Sequence, residues 1–568
     1  MTTTARLAFA GALLMWLSFP PVDFGWLAWL APICWLIIIR REQLSGKRPY
    51  LTLYFAGVLF WGAVFAWICK PHWSAAIGWV AMSFGYTAFY TVVFVAVSRV
   101  AVHRWRIPLV IAAPTVWTGL ELARAYLLDG FLMGALGHTQ YRWITLIQIS
   151  DLVGAYGVTF LVMFVAACLA SCLPVGKENF RWWPAVLGVM ALAGALVYGH
   201  FRTSGNVTEP GPQIALIQGS VDTNFDVDPL KHRRAIQQHY TELTIESLGI
   251  APDVDLVIWP ETMYVIQPEA EYFTPFILIE EGAYLPAKQL AEWTDVSAEL
   301  ARRYERDKRL PGGIYEVAEQ GRADFRRSVR SFSKAARDRG RNKSGGPPML
   351  IGVDCEHFFP GEMRRYNTSV YLDGNGEVQD YYHKTHPVIF GEYMPLGDVF
   401  PWLYQLTPLY GGLASGDAAK SYNVAGFKLS PSICYETVLP QVIRRQFARL
   451  CDAGDEPDIL VTQTNDGWFW GSAELDMHLI CGVFRSVECR KPLLIAANTG
   501  FSAWIDADGN ILNRGPRRDQ RVIVAKPAID SRDSLYMEFG DWFAYGCAAF
   551  CVLLVGLVVI TRYSSKRL

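Results

Sequence analysis

The apolar residues of this chain are segregated. From Arg6 to about His200 it runs through repeated apolar stretches, and from about Arg202 to Gly540 nothing comparable occurs. A last stretch, "WFAYGCAAFCVLLVGLVVI", closes the sequence at residues 542–560. A helix needs about 17–25 apolar residues to cross a bilayer core. The pattern therefore predicts a membrane region, a large water-facing domain and a final membrane helix. Composition agrees, with 52% hydrophobic and only 18% charged residues, 20 Trp and a mean hydropathy of +0.17, less charge than an ordinary soluble chain carries. The formal net charge of −1 gives no hint of a nucleic-acid partner.

Seven N-terminal spans are expected, near residues 5–20, 23–39, 51–69, 74–97, 107–127, 152–173 and 183–200, with an eighth at the C-terminus. The first two are short and joined by "SFPPVDFG", which reads as a hairpin tip; the immediate second apolar segment argues against a cleaved signal peptide. Basic residues cluster after the even-numbered spans: Arg40, Arg41, Lys47 and Arg48, then Arg99, Arg104 and Arg106, then Lys177 and Arg181, and finally Arg562, Lys566 and Arg567. Only Lys70 and Arg142 fall in the other short connections. The positive-inside rule then puts both termini in the cytoplasm and the large domain outside. The expected organisation is a seven-helix membrane region (1–201), an extracytoplasmic domain (202–540) and a C-terminal helix with a short tail (541–568). The connection 128–151, "LDGFLMGALGHTQYRWITLIQISD", is apolar and Gly-rich without being a clean span. It reads either as an interfacial loop or as a lid or floor for a lipid-facing site.

The polar domain shows short β-rich runs separated by helical segments. Strands are predicted at 213–218, 254–259, 349–354, 367–373, 427–433, 458–464, 492–498, 502–506 and 521–527, with hairpin turns at "DGNG" (373–376) and "DADG" (506–509). Helices are predicted at "RRAIQQHYTELTIESL" and "DMHLICGVFRSVECR". Continuously apolar strands alternating with helices predict a layered α/β or α+β domain with buried sheets. From about 267 to 346 the pattern gives way to a charged, partly helical insertion in which Arg326, Arg327, Arg330, Lys334, Arg337, Arg339, Arg341 and Lys343 outnumber acids. It reads as a solvated helical face with a tail; the functional alternative is a patch for anionic lipid headgroups.

Three segments end strand-like runs in polar residues: "VIWPETMY" with Glu261, "YYHKTHPVIFGEYMPLG" with Lys384 and Glu392, and "SPSICYETV" with Cys434, Tyr435 and Glu436. Each has a plain structural reading, and a cysteine is as a rule a small buried hydrophobe. Together they supply a nucleophile, a base and a cation, the minimum for acyl transfer through a thioester. A thiol needs a carboxylate to take its proton. A nearby ammonium favours the thiolate and can stabilise the oxyanion of a tetrahedral intermediate.

The order Glu, Lys, Cys at successive strand ends resembles the nitrilase (carbon–nitrogen hydrolase) superfamily. Nearly the whole chain resembles that superfamily's membrane-integral branch, the apolipoprotein N-acyltransferase family, through "IWPE", "YHKTHPVIFGEYMPLG", "ICYE", "NDGWFWGSAELDMHL", "RSVECRKPLLIAANTGFSAWID" and "FGDWF". The resemblance implies an α-β-β-α sandwich held outside the inner (cytoplasmic) membrane, in the periplasm, by eight transmembrane helices. It implies Glu261 as general base, Lys384 as stabiliser of oxyanion and thiolate, and Cys434 as nucleophile, with Glu392, Tyr435 and Glu436 in support. Cys434 would take an acyl chain from a phospholipid and pass it to the α-amine of the diacylglyceryl-Cys of an apolipoprotein. No cofactor and no metal are expected, since neither a C-x-x-C pair nor a paired His cluster occurs; a monomer is expected.

Asn465, Asp466 and Trp468 read as a structural turn or a substrate loop, and His478 as a satisfied helix histidine with a catalytic role as the alternative. Cys355, Cys451, Cys481 and Cys489 read as packing residues or at most one pair. Two features depart from the family: the Glu261–Lys384 interval is long, and after "LIQGS" only Phe225 stands near where the family carries a gating Trp. Two other functions are compatible with parts of the pattern: a membrane-tethered nitrilase-like amidase or hydrolase, and a non-catalytic lipoprotein-binding protein. The eight expected spans argue against the first, and the intact Glu261–Lys384–Cys434 set against the second.

Overall fold

A computed structural model describes residues 1–176, 178–205, 208–222, 229–265, 276–284, 313–339, 346–397, 399–406 and 412–564. Phe225, Lys177, Arg341, Lys343, Lys566, Arg567 and most of the stretch 267–312 lie outside them.

The polar domain is built on two stacked sheets. The first runs in the order Arg521–Ala525, Ile214–Gln218, Leu256–Ile258, Met349–Pro360, Glu362–Leu372 and Val378–His383, with Phe276–Tyr284 also pairing on Met349–Pro360. The second runs Ile511–Arg514, Ala503–Ile505, Leu493–Ala497, Ile459–Thr464, Phe427–Ile433 and Tyr422–Val424. Side chains alternate across each strand and so divide the core into layers. Ile214, Leu216, Leu256 and Ile258 face Leu429, Ile433, Ile459 and Val461 between the sheets. On the outer face of the first sheet, Ala215, Ile217 and Val257 meet Ile236, Tyr240 and Leu243 of the helix Pro229–Ile250 and Phe325, Val329 and Phe332 of the helix Gly313–Arg339. On the outer face of the second, Leu460, Leu493 and Ile495 meet Ile443 and Phe447 of Pro440–Asp452 and Leu475, Leu479 and Val483 of Glu474–Cys489. The result is helix, sheet, sheet, helix. All nine expected strands are present, and both predicted turns join antiparallel neighbours.

Three differences have physical causes. The strand Phe276–Tyr284 was not expected, because its acids Glu280 and Glu281 mask the apolar start "FILI". Part of the charged insertion is an amphipathic helix whose Phe325, Val329 and Phe332 recur at helical spacing and pack on the sheet, while Arg326, Arg327 and Arg330 face out. That basic face belongs to the helix layer on the outer side of the first sheet. Third, not every expected span is a full-length apolar helix. Among the described residues, three helices are long and apolar enough to cross a membrane: Ala75–Arg104, Ala155–Cys172 and Trp183–Thr203. Thr3–Leu17, Gly25–Arg40, Pro49–Val64, Ile144–Val153 and Trp542–Val558 are apolar but shorter. Leu109–Tyr126 carries the buried Glu121 and Arg124.

The apolar region packs directly on the second outer helix layer. Its cluster of Trp35, Phe60, Trp61, Phe65 and Trp117 continues into Val438, Leu439, Val442, Met477 and Cys481 of the sandwich. All eleven cysteines are free.

Candidate active site

The strand Phe427–Ile433 ends at Cys434, which adopts φ 51° and opens a short 3-10 turn, Cys434–Val438. A non-Gly residue in this left-handed region is strained and persists only when its surroundings hold it there. The partly buried side chain thereby leaves the strand direction at the sheet's end. Glu261 sits just past the neighbouring sheet's strand Leu256–Ile258, is 5% exposed, and is crossed closely by the next strand. A Cβ on Gly352 would stand 2.3 Å from Pro260 O and 2.6 Å from Glu261 Cα, so only glycine lets that strand pass. Lys384, 1% exposed, directly follows the strand Val378–His383.

These strand ends converge. Lys384 Nζ donates to Glu392 Oε1 at 2.7 Å and stands 3.5 Å from Glu261 Oε1. Glu261 Oε2 accepts the Asn465 backbone N–H at 2.8 Å, and its Oε1 accepts from Asn367 Nδ2. Glu392 Oε2 accepts the Val388 N–H at 2.7 Å. Glu436, fully buried, joins the Cys434 turn to the lysine loop: it accepts from Ile433 N at 2.6 Å, Thr385 N at 2.7 Å and Tyr382 OH at 2.7 Å. Tyr435 points the other way, donating to Gly130 O at 2.7 Å and stacking between Phe131 and His386.

The electrostatics follow from two carboxylates sharing one ammonium in a water-poor site. Burial pushes the Glu261 carboxyl above its usual range; Glu392 adds to that, while Lys384, Asn367 and the Asn465 amide oppose it. Burial works against the Lys384 ammonium, but Glu392, Glu261 and Cys434 outweigh it, so the lysine stays charged. Burial pushes the Cys434 thiol up, Glu261 adds to this and Lys384 opposes it. Cys434 thus rests as a thiol beside a carboxylate of raised basicity, an arrangement in which the thiol could pass its proton to Glu261.

Sequence reasoning singled out Glu261, Lys384, Glu392, Cys434, Tyr435 and Glu436, and the structure gathers all six around one strand-end cluster. It did not find Asn367, whose only signal is a polar residue opening the strand segment "NTSVYLD". Asn465, read as a turn or substrate residue, serves through its backbone. The nearest approach to a metal-ligand set among the described residues is Asp466, Glu474 and His478, with ligand atoms within 4.8 Å of one another. Both His478 nitrogens are already engaged, Nδ1 with Asp466 Oδ1 and Nε2 with Cys434 O, each at 3.1 Å. The start of the connection 128–151 meets the site's loops through Asp129, Gly130 and Phe131. Leu128, Asp129 and Gly130 all have positive φ, and Tyr393 OH donates to Asp129 Oδ2 at 2.8 Å.

A cysteine turn, a lysine and a glutamate meet at the strand ends of an α-β-β-α sandwich, and residues 343–534 match the carbon-nitrogen hydrolase family. Residues 11–168 match the N-terminal domain of apolipoprotein N-acyltransferases. The chain is 30% identical to the apolipoprotein N-acyltransferase of Rhodopirellula baltica, over 96% of this chain and 95% of that one. It is 28% identical to that of Geobacter metallireducens, over 97% and 94%. This chain belongs to the apolipoprotein N-acyltransferase family. Among solved structures it resembles a Saccharomyces cerevisiae member of branch 10 of the nitrilase superfamily, at TM-score 0.34 and 13% identity over 59% of this chain and 96% of the other. An amidase from Nesterenkonia sp. is similar at TM-score 0.32 and 18% identity, over 59% and 96%.

Proposed function

We propose that this protein is a phospholipid:apolipoprotein N-acyltransferase working by a two-step exchange through a Cys434 thioester. The observation that carries the reading is the Glu261–Lys384–Glu392 chain beside a cysteine in a left-handed strand-end turn, resting on a segment of the apolar region. In the first step Cys434 Sγ attacks the ester carbonyl of a phospholipid acyl chain and its proton passes to Glu261. The oxyanion is stabilised by Lys384 Nζ. Collapse expels the lysophospholipid alkoxide, which takes the proton from Glu261 and leaves a thioester. In the second step the α-amine of a diacylglyceryl-Cys attacks the thioester and gives its proton to Glu261. Collapse forms the amide and returns the thiol. Glu392 holds Lys384 charged and in place, Glu436 keeps the turn and the lysine loop in register, and Tyr435 anchors the turn to the floor.

A lipid donor is supported by the surroundings. Phe390, Leu396, Val399, Phe400 and Trp402, in the loop that carries Glu392, are all exposed, and a grouped apolar surface of this kind marks an interaction with a membrane or partner. In the full arrangement we propose, eight helices anchor a monomer in the cytoplasmic membrane with both termini inside and the domain 202–540 outside. The shorter apolar helices complete their crossings beside the long ones. No cofactor takes part.

The test is to incubate the purified protein in detergent with phospholipid and a diacylglyceryl lipopeptide bearing a free α-amine, and to read products by mass spectrometry. A triacylated amide with equimolar lysophospholipid supports the transferase. Free fatty acid formed at the same rate with or without the lipopeptide would make the protein a hydrolase instead.

A further inference from the structure

His478 occupies a position that helix packing alone does not explain. It lies on the helix Glu474–Cys489, is 4% exposed, and sends its ring toward the nucleophile rather than into the apolar layer around it. Nε2 stands 3.1 Å from the carbonyl oxygen of Cys434, and Nδ1 stands 3.1 Å from Asp466 Oδ1. Both contacts are acceptors, so the ring satisfies both only when it donates from both nitrogens, as an imidazolium does. Burial opposes that charge, but Asp466 above all favours it and the net effect is upward. The other acid nearby, Glu474, has Oε1 3.7 Å from Nδ1; burial, then Asp466 and Asp476, push its carboxyl well above its usual range, which leaves Asp466 as the counter-charge. Asp466 is itself fixed, accepting from Thr464 Oγ1 at 2.8 Å and packed so closely on Gly500 that a Cβ there would lie 2.0 Å from Oδ2.

Two consequences follow from what the ring joins. Asp466 adjoins Asn465, whose N–H grips Glu261 Oε2 at 2.8 Å, and Asn465 is braced in turn by Asn498 Nδ2 at 2.9 Å. One imidazole thus spans from the nucleophile's own backbone to the loop that holds the base. Moreover, the Cys434 carbonyl and the Tyr435 N–H belong to one planar peptide unit and point in opposite directions. Holding the carbonyl therefore aims the N–H. The N–H following a nucleophile at a strand-to-helix turn is a natural oxyanion donor.

We propose that His478 is a positioning residue for acylation: a hydrogen-bonded strut from the Cys434 carbonyl to the Asp466 carboxylate that sets the Cys434–Tyr435 peptide plane and keeps the thiol in register with Glu261. This rests on Cys434 being the nucleophile. Losing an oxyanion donor or an aligned nucleophile costs about 100-fold in rate, so the effect falls on the acylation rate at saturating lipid rather than on KM.

The experiment follows acyl-adduct formation by intact mass across a phospholipid series, with thermal unfolding in parallel, for the native protein, His478→Leu, His478→Gln and Val483→Ala. Val483 is a fully buried residue of the same helix that faces the second sheet's apolar layer. His478→Leu should acylate about 100-fold more slowly with KM within about threefold, and His478→Gln, which keeps one donor, should recover about tenfold of that loss. Val483→Ala should lose stability and keep its acylation rate. Should His478→Leu not fold, His478→Asn, polar but too short to bridge both acceptors, takes its place with the same expectation. A folded His478 variant without the strut that acylates within about threefold of the native rate overturns the proposal, as does a Val483→Ala that slows equally. No adduct on the native protein overturns the nucleophile reading itself, and this inference with it.

Discussion

Two of the buried ionic clusters among the described residues are built on opposite plans. At the junction of the apolar region with the sandwich, charges alternate along a chain: Arg202, Asp151, Arg490, Asp508, Arg532, Asp530. Arg202 Nε meets Asp151 at 2.7 Å, Arg490 meets Asp151 at 2.5 Å and Asp508 at 3.0 Å, and Arg532 meets Asp508 at 2.8 Å and pairs with Asp530. Three cations balance three anions, and neutral donors and acceptors fill the remainder: Tyr198 OH donates to Asp151 at 2.8 Å and Arg490 donates to Gln148 at 2.6 Å. In the active site Glu261 and Glu392 share the single ammonium of Lys384, with Cys434 alongside. The first cluster is balanced in charge. The second carries one carboxylate too many, so a proton has somewhere to go. A buried ion pair is weak evidence of stability in itself; the imbalance between partners is what sets the second cluster apart.

Neutralising one member of each cluster sharpens the contrast, and the largest effect is expected in the site. Glu261→Gln leaves Lys384 and Glu392 as a balanced pair, as at the junction, and removes the base. Acyl transfer should fall by about 10²–10⁴-fold with little change in unfolding temperature, checked by turnover and calorimetry. Asp151→Asn does the reverse. It leaves three cations to two anions, with the fully buried Arg490 keeping only Asp508 as counter-charge, and should cost about 3–5 kcal/mol, seen in denaturant unfolding, while the protein that remains folded keeps its turnover number.

The third prediction concerns pH. Because burial and the Glu392 charge raise the Glu261 carboxyl, its protonated, inactive form persists above the ordinary glutamate value of 4.5. The rate should rise with pH through that displaced midpoint, with Lys384 still charged above it. Glu392→Gln removes the like charge and should move the acid limb of kcat/KM to lower pH, whatever it does to the plateau. The smallest effect is expected from Tyr435→Phe, which keeps the stacking on Phe131 and His386 but loses the bond to Gly130 O. About 1 kcal/mol of stability should be lost, with a modest change in rate.

The site was legible in the sequence to the extent that its members interrupt apolar strands. "VIWPE" and "SICYE" each end a buried apolar run in a polar residue, and such breaks survive without any knowledge of the fold, whereas "YYHK" closes the half-exposed edge strand Val378–His383. What joins them was not legible. Asn367 opens a strand like any other polar residue, and Asn465 acts through an N–H that every residue but proline possesses. His478 sits on an apolar helix face where a histidine ordinarily only packs. The junction clamp escaped for a similar reason, since Asp151 and Arg490 lie more than three hundred residues apart and neither stands in a run of charge. Of the fold, the alternating pattern yielded both sheets, whereas the strand Phe276–Tyr284 was hidden by its own acids. The membrane segments show the opposite error. Counting apolar residues merged short helices and their turns, as in residues 23–39, where the structure has the two short pieces Gly25–Trp29 and Ile33–Arg40.

The most direct measurement is the intact mass of the detergent-purified protein after incubation with phospholipid, for the native chain and Cys434→Ser. A Cys434 thioester requires a hydroxylamine-sensitive acyl adduct on the native chain alone, discharged when a diacylglyceryl lipopeptide with a free α-amine is added. An equal absence of adduct on both proteins across the common headgroups, or an adduct that persists in Cys434→Ser, would contradict it.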